Sequence, residues 1–128
     1  MRLFFLRHGI AEDRSSSGRD FDRALTAEGR AGLEQVARGL RRLKVTPDPI
    51  LSSPLVRARQ TAEVVAPVLG GTLEIVEELS SGAAVDDFQQ LVQRYLAARA
   101  LMLVGHEPDF SEAAAALVGA ESGALVLK

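Results

Sequence analysis

Short apolar runs alternate with segments of helical periodicity along this chain, and this order restricts the fold more than any other feature of the sequence. Five runs, at residues 3–6, 50–52, 72–76, 100–104 and 124–128, are too short for helices and predict strands. The runs at 3–6 and 100–104 are apolar throughout, which is typical of strands buried on both faces. Alternating strands and helices predict a layered α/β domain whose sheet is mostly parallel.

Helical spacing fills the intervals between the runs. Thr26 is expected to cap a first helix that extends to about Lys44. Ser53 as N-cap and Pro54 as first helical residue predict a second helix that ends near residues 69–71. The side of the first helix expected in the core comprises Leu33, Val36, Ala37, Leu40 and Leu43.

Two further helices are expected in the second half of the chain. Residues 86–98 predict the third helix, and Asp109 with Glu112 three residues later has the form of a capping box at the start of the fourth. The expected core side chains of the third helix are Phe88, Leu91, Val92, Tyr95 and Leu96.

Length and composition exclude several classes of protein. With 128 residues the chain is expected to be one domain, residues 1–128, with a core that needs no disulfides. A net charge of −2 gives no general attraction to nucleic acid or to an anionic membrane, so neither is expected as a partner. The absence of cysteine excludes disulfides, thiolate catalysis and cysteine-ligated zinc. No apolar run is long enough for a signal-peptide core or a membrane span, so the expected location is cytoplasmic.

Polar residues of the types that bind anions or transfer protons follow three of the predicted strands. The first strand leads into residues 7–9 (Arg-His-Gly), the second into 52–54 (Ser-Ser-Pro) and a helix carrying Arg57, and the fourth into 105–107 (Gly-His-Glu). The first and last of these segments hold the only two histidines of the chain. Ligands in open α/β sheets bind beyond the carboxyl ends of the strands, so these segments are expected to form one site.

These residue types suit a phosphate group. Arg7 and Arg57 are forked donors that match phosphate oxygens, and a helix start at Ser53 adds backbone N–H groups and the positive end of a dipole. His8 can act as a nucleophile when its attacking nitrogen is unprotonated, and a protonated His106 can donate to a phosphate dianion. A metal site is not expected, because the two guanidiniums would repel a cation and no Asp, Glu or His set completes a ligand shell.

The same residues resemble the histidine phosphatase superfamily, also called the phosphoglycerate-mutase-like fold. The family's Arg-His-Gly is matched at residues 7–9, its Ser-Pro…Arg-Ala-x-Gln-Thr-Ala pattern at residues 53–62, and its Gly-His pair at residues 105–106. The segment RALTAEG, residues 23–29, is similar to an Arg-x-Leu-Thr-x-x-Gly segment of small bacterial members. The matches run in the family's order from residue 7 to residue 108.

The resemblance implies a three-layer α/β/α sandwich with a mostly parallel central sheet and no cap domain, for which this chain has no room. The branch it resembles most is the compact phosphohistidine phosphatases, which act on the phosphorylated histidine of phosphorelay proteins in signal transduction. The resemblance implies that His8 is the nucleophile, and that Arg7, Arg57 and His106, together with Arg23, hold the phosphoryl oxygens. It implies no metal and no cofactor, and a monomer is expected.

Other interpretations remain open from the sequence. A small-molecule phosphomonoesterase or mutase of the same fold would need a general acid, for which Glu107 is the candidate, although Glu107 can also help to start the last helix. An inactive phospho-ligand binding module would need the arginines but not His8. Arg57, next to Arg59, can also be interpreted as solvated helix surface. Because the family usually continues with a strand or hairpin after residues 122–128, the chain is expected to be a shortened homologue or a truncated one.

Overall fold

A computed structural model describes residues 1–120 and 125–127, which form a five-stranded parallel sheet with helices on both faces. In chain order the elements are β1 (Arg2–Arg7), α1 (Ala27–Arg42), β2 (Ile50–Ser52), α2 (Val56–Leu69), β3 (Leu73–Ile75), α3 (Val85–Arg94), β4 (Ala100–Gly105), α4 (Asp109–Ala120) and β5 (Leu125–Leu127). Short 3₁₀ helices lie at Asp20–Asp22 and Glu77–Leu79. The strands are arranged in the order β3-β2-β4-β1-β5, and each neighbouring pair is parallel.

The direction of the crossovers explains why helices cover both faces. From β1 the chain moves through β2 to β3 at one edge, and then returns through β4 to β5 at the other. Since β-α-β crossovers are right-handed, reversing the direction places the later helices on the opposite face. α1 and α2 accordingly pack on one face of the sheet, and α3 and α4 on the other. The predicted three-layer sandwich with a parallel central sheet is therefore confirmed.

The central strands are buried on both faces, as their apolar runs predict. Along β1, Phe4 and Leu6 pack with α1 and α2, whereas Leu3 and Phe5 pack with α3 and α4. Burying a side chain of this size stabilises the fold by roughly 1.5–3 kcal/mol. The carboxyl end of β1, from which the Arg-His-Gly segment emerges, is thus anchored from both sides.

The second helix begins later than predicted. Leu55 is its N-cap and Val56 its first residue, so the expected cap at Ser53 and start at Pro54 were wrong. The backbone N–H of Ser53 still donates to the carbonyl of Val104 on β4, at 2.9 Å, so this residue continues the pairing of β2 with β4 and the helix begins after it. The end of the helix was predicted correctly, since Gly70 caps it in the left-handed conformation.

The fourth helix begins at Asp109, but Asp109 does not cap it. Its Oδ2 accepts hydrogen bonds from the backbone N–H groups of Gly82 and Ala83, at 2.8 and 3.2 Å, and so ties the loop before α3 to this helix. The cap is supplied by Glu107, whose Oε1 accepts from the N–H of Ser111 at 2.8 Å. The predicted capping box of Asp109 and Glu112 was therefore wrong.

Two further helices differ from their predictions, α1 in the residues that it buries and α3 in its length. Val36 and Leu43 are 41% and 70% exposed, because they flank the buried stripe of α1 rather than belong to it. α3 ends at Arg94 instead of near residue 98, and Leu96, in the turn that follows, is 55% exposed. The capping of α1 by Thr26 is confirmed, since its Oγ1 accepts from the N–H of Gly29 at 2.9 Å.

The last predicted strand forms β5, which pairs in parallel with β1, while residues 124 and 128 of that prediction lie outside the described residues. Within the described part of the chain, no helix combines the length and the apolar character needed to cross a membrane.

Candidate active site

The two histidines lie side by side at the point where the sheet reverses its winding. β1 and β4 are neighbours, and the helices that follow them cover opposite faces, which opens a crevice beyond their carboxyl ends. The register pairs Arg7 with Gly105, so the residues that come next, His8 and His106, emerge together. Their ring centroids are 5.3 Å apart. The sequence prediction that these strand ends form one site agrees with this geometry.

The imidazole of His8 has one unprotonated nitrogen, with the lone pair that a nucleophile requires. Its Nδ1 lies 2.8 Å from the carbonyl oxygen of Gly9, which can only accept, so Nδ1 carries the proton and Nε2 the lone pair. Partial burial lowers the pKa of His8, and the positive charges of Arg57, Arg7 and Arg23 lower it further, against the opposing effect of the Gly9 carbonyl. At neutral pH the ring is therefore neutral, with Nε2 unprotonated.

Arg57 points at this nitrogen. It is the second residue of α2 and only 5% exposed, whereas its neighbour Arg59 is exposed. Its Nε–H donates to His8 Nε2 at 3.3 Å, and its Nη1 and Nη2 donate to the backbone oxygen and Oδ2 of Asp20 at 2.9 and 3.2 Å. The interpretation of Arg57 as solvated helix surface was therefore wrong, while that of Arg59 agrees with its exposure.

Asp20 joins two cations at the edge of the site and was missed by the sequence analysis. Its carboxylate accepts from Arg57 and, at 2.8 Å, from Nη1 of Arg23, whose Nε–H donates to the carbonyl of Glu12. The hydrogen bond from Arg23 is the main cause that lowers the pKa of Asp20. Nothing in the polar loop marks Asp20 by itself, because its partner Arg57 is 37 residues away.

Arg7 and Arg23 lie at the rim of the crevice rather than inside it. Arg7 is the last residue of β1 and is exposed, and Arg23 is partly exposed beside Asp20. The charges of both residues lower the pKa of His8, which reflects their proximity to its ring. The structure thus groups Arg7, Arg23 and Arg57 around one histidine.

His106 is buried and neutral. It is 3% exposed, and its Nε2 lies 2.8 Å from the hydroxyl of Ser53. Its Nδ1 is buried and has no hydrogen-bond partner among the described residues. Burial lowers the pKa of His106 to about 4, with further lowering by Arg57 and His8. In the free protein the ring is therefore uncharged. The expectation from the sequence concerned a protonated His106 beside a phosphate dianion, and it stays a prediction.

Gly9 and Thr61 hold the segment that follows His8 against α2. The N–H of Gly9 donates to Thr61 Oγ1 at 3.1 Å, and this hydroxyl donates to the carbonyl of Arg57 at 2.8 Å. A Cβ on Gly9 would lie 2.8 Å from Cδ1 of Leu33, so glycine permits a close approach to α1. Thr61 is part of the family pattern at residues 53–62, but its hydrogen bonds to Gly9 and Arg57 were not predicted.

Glu107 follows His106 but is turned toward α4. Both of its carboxylate oxygens bind Ser111, through the backbone N–H and the side-chain hydroxyl. This geometry agrees with the structural interpretation of Glu107, in which a carboxylate favours the N-terminus of a helix. Among the described residues, no group of three His, Cys, Asp or Glu side chains could hold a metal ion.

Comparison with known proteins decides the family. The sequence model of the histidine phosphatase superfamily (branch 1) matches residues 3–110, which include both histidines and all three arginines of the site. The chain belongs to the histidine phosphatase superfamily. Its parallel sheet and surrounding helices are the phosphoglycerate-mutase-like fold of that superfamily, without a cap domain in the described residues.

Solved structures and a curated relative agree with this assignment. A structure assigned as the phosphohistidine phosphatase SixA from Agrobacterium tumefaciens has a TM-score of 0.82 at 29% identity. The match covers 91% of this chain and 76% of the SixA chain. The protein histidine phosphatase SixA complexed with tungstate has a TM-score of 0.81 at 27% identity, with 88% and 74% covered. An uncharacterised protein of Picosynechococcus is 40% identical over 126 residues, or 96% of this chain and 76% of the relative. The family match and the two solved structures support phosphatase activity.

Proposed function

We propose that the chain is a phosphohistidine phosphatase that acts on phosphorylated histidines of phosphorelay proteins, as a single cytoplasmic, monomeric domain that needs no metal or cofactor. The observation that carries this proposal is the unprotonated Nε2 of His8, faced by the guanidinium of Arg57 at 3.3 Å in a crevice that also holds His106. A pure binding module would need the arginines but has no use for a nucleophile prepared in this way.

The reaction proceeds in two displacements at phosphorus. In the first, the lone pair of His8 Nε2 attacks in line, the bond from phosphorus to the substrate imidazole breaks, and the departing nitrogen takes a proton from water. In the second, a water molecule attacks the phosphorylated His8, its proton passes to the hydroxide left by the first step, the phosphorus–Nε2 bond breaks and phosphate leaves. Arg57, with Arg7, Arg23 and His106, stabilises the charge on the phosphoryl oxygens in both steps.

The carboxylates near the site favour a phosphoramidate over an alkyl ester. An alkoxide leaving group requires a general acid, whereas an imidazole departs far more easily. Glu107 is bound to Ser111, and Asp20 is held between two guanidiniums that lower its pKa, so it is ionised at neutral pH and has no proton to give. This distribution supports phosphohistidine as the substrate.

The structural neighbours support the same substrate class. The two SixA structures are described as phosphohistidine or protein histidine phosphatases, and one of them was determined with tungstate. Tungstate is a tetrahedral oxyanion like phosphate, and a pocket with several guanidinium donors suits such a group.

A side-by-side assay tests the proposal. Purified protein is offered a histidine-phosphorylated phosphotransfer protein, p-nitrophenyl phosphate and glycerol phosphate. We expect kcat/KM to be highest for the phosphoprotein, low for the aryl ester and lowest for the alkyl ester. His8→Ala should keep the fold, shown by circular dichroism, and lose activity by ~10³-fold or more on all three substrates.

Two outcomes would contradict the proposal. Efficient hydrolysis of glycerol phosphate, equal to that of the phosphoprotein, would make the chain a phosphomonoesterase. Full activity of His8→Ala, or the absence of a phosphorylated His8 after alkaline quenching of the wild-type reaction, would remove His8 as the nucleophile.

A further inference from the structure

The hydroxyl of Ser53 is buried and lies within hydrogen-bond distance of the buried ring of His106. The side chain of Ser53 is fully buried between β2 and α2, and its hydroxyl oxygen accepts a hydrogen bond from the backbone N–H of Leu55 at 3.1 Å. The same oxygen lies 2.8 Å from Nε2 of His106. Among the described residues, this nitrogen is the one hydrogen-bond partner that can accept the proton of the Ser53 hydroxyl.

Two arrangements of protons are compatible with this contact. If the hydroxyl donates to Nε2, His106 carries its proton on Nδ1, and of these two side chains that N–H alone lacks a partner among the described residues. If instead Nε2 donates to Ser53, the buried hydroxyl proton has no acceptor, and Nδ1 also remains unpaired. Since each buried polar group without a partner is destabilising, the first arrangement, which leaves one such group instead of two, is favoured.

We infer that Ser53 is a positioning residue whose hydroxyl donates to Nε2 of His106 and thereby holds the neutral ring in its Nδ1–H tautomer. A neutral imidazole has one N–H, so the tautomer decides which nitrogen can donate. With Nε2 occupied by Ser53, the N–H of the ring is at Nδ1, a buried atom that has no hydrogen-bond partner among the described residues. Under the proposed function, this N–H is the group of His106 that donates to a phosphoryl oxygen. This last consequence depends on the proposed function, whereas the tautomer itself does not.

The electrostatics of the site explain why a tautomer-setting partner is needed. In the free protein the pKa of His106 is lowered to about 4, chiefly by burial, so near neutral pH the ring carries one N–H rather than two. Under the proposed function, the opposite tautomer would leave Nδ1 with a lone pair and no proton to donate to a phosphoryl oxygen. Ser53 therefore converts a neutral, buried imidazole into a donor at the required atom.

Long-range ¹H–¹⁵N correlation spectra of the imidazole rings measure the tautomer directly. The chain has only two histidines, so the spectrum contains two ring systems, and His8→Gln assigns them. At pH 7.5 we expect both rings in the Nδ1–H form: His8 because of the Gly9 carbonyl, and His106 because of Ser53. A wild-type His106 in the Nε2–H form, or in the charged form, would overturn the inference without any assay of activity.

Three variants separate tautomer control from a general effect on packing. Ser53→Ala should shift His106 toward Nε2–H and lower kcat on p-nitrophenyl phosphate about tenfold, the order expected for one lost hydrogen bond. Ser53→Thr keeps the hydroxyl and should restore both the Nδ1–H form and most of kcat. Ser52→Ala is the matched control, since this equally buried hydroxyl donates to the Ser53 carbonyl at 2.9 Å and does not contact His106.

The outcomes are distinguishable from failure of the proposed function. If the wild-type protein hydrolyses no phosphate compound but its His106 is Nδ1–H and depends on the residue 53 hydroxyl, the positioning role stands and the enzymatic proposal fails. If Ser53→Ala is folded and His106 stays Nδ1–H, or if Ser52→Ala shifts the tautomer equally, the positioning role is wrong. Should Ser53→Ala not fold, the tautomers of wild type and Ser53→Thr decide, because either one in the Nε2–H form overturns it.

Discussion

Two arginines in the same helix, Arg57 and Arg59, show how position rather than residue type determines a side chain's use. Arg57 is buried in the first turn of α2, with all three kinds of guanidinium nitrogen donating to His8 or Asp20. Arg59, two residues later, is exposed. A helix turns by about 200° over two residues, so the two side chains leave it on opposite sides.

This pair provides a matched test of the phosphate contact. Arg57→Lys should lower kcat/KM by ~10²–10³-fold, or about 3–4 kcal/mol of transition-state stabilisation, because a single ammonium cannot replace the forked donor. Arg59→Lys should leave kcat/KM unchanged. Steady-state kinetics on p-nitrophenyl phosphate measure both, and Arg57→Lys with more than half of the wild-type kcat/KM would exclude Arg57 from the reaction.

At the scale of elements, the start of α4 determines what Glu107 does. The helix begins immediately behind β4, so a carboxylate next to His106 can serve either the crevice or the helix. The hydrogen bonds to Ser111 assign it to the helix, and Asp109, which the sequence suggested as the cap, instead holds the loop at Gly82 and Ala83.

Removing the charge of Glu107 should therefore affect stability more than catalysis. Glu107→Gln is expected to lower the free energy of unfolding by ~0.3–1 kcal/mol and to change phosphohistidine hydrolysis less than twofold. Ser111→Ala removes the hydroxyl that contacts Glu107 and is the control, with a similar small loss of stability. Urea unfolding and kinetics of both variants test this. A hundredfold loss of activity in Glu107→Gln alone, with the fold unchanged, would make Glu107 the general acid.

For the whole molecule, burial of His106 between two layers links folding to pH. The pKa of His106 is about 4 in the folded state against 6.5 when unfolded, so the unfolded chain binds more protons between these values. The contribution of His106 to the free energy of unfolding is therefore fully present above pH 6.5 and is lost as the pH falls toward 4. His8 contributes in the same direction, since its pKa is also lowered.

The expected loss is about 3 kcal/mol for His106 between pH 6.5 and pH 4. Chemical unfolding at several pH values measures it. His106→Gln removes this titration, so its stability should depend less on pH in the same window, while Ser52→Ala should keep the wild-type slope. Equal slopes for wild type and His106→Gln would show that the folded and unfolded pKa values are the same.

The sequence alone predicted the layered fold and the principal members of the site, for local reasons. Buried strands appear as apolar runs and amphipathic helices as periodic patterns, so the order of elements can be read without the structure. The carboxyl ends of parallel strands lie at one edge of the sheet, which is why His8, Arg57 and His106 were expected together. The roles of these residues in catalysis remain predictions.

Only the tertiary structure decided what each side chain contacts. Asp20 and Arg57 are 37 residues apart, Gly9 and Thr61 are 52, and Ser53 and His106 are 53, so no local pattern marks these pairs. The start of α2 and the role of Asp109 at the start of α4 also depended on distant partners, the Val104 carbonyl for one and the backbone N–H of Gly82 for the other. The protonation of both imidazoles follows from burial and neighbouring charge, which arise only when the sheet and its two helical layers have assembled.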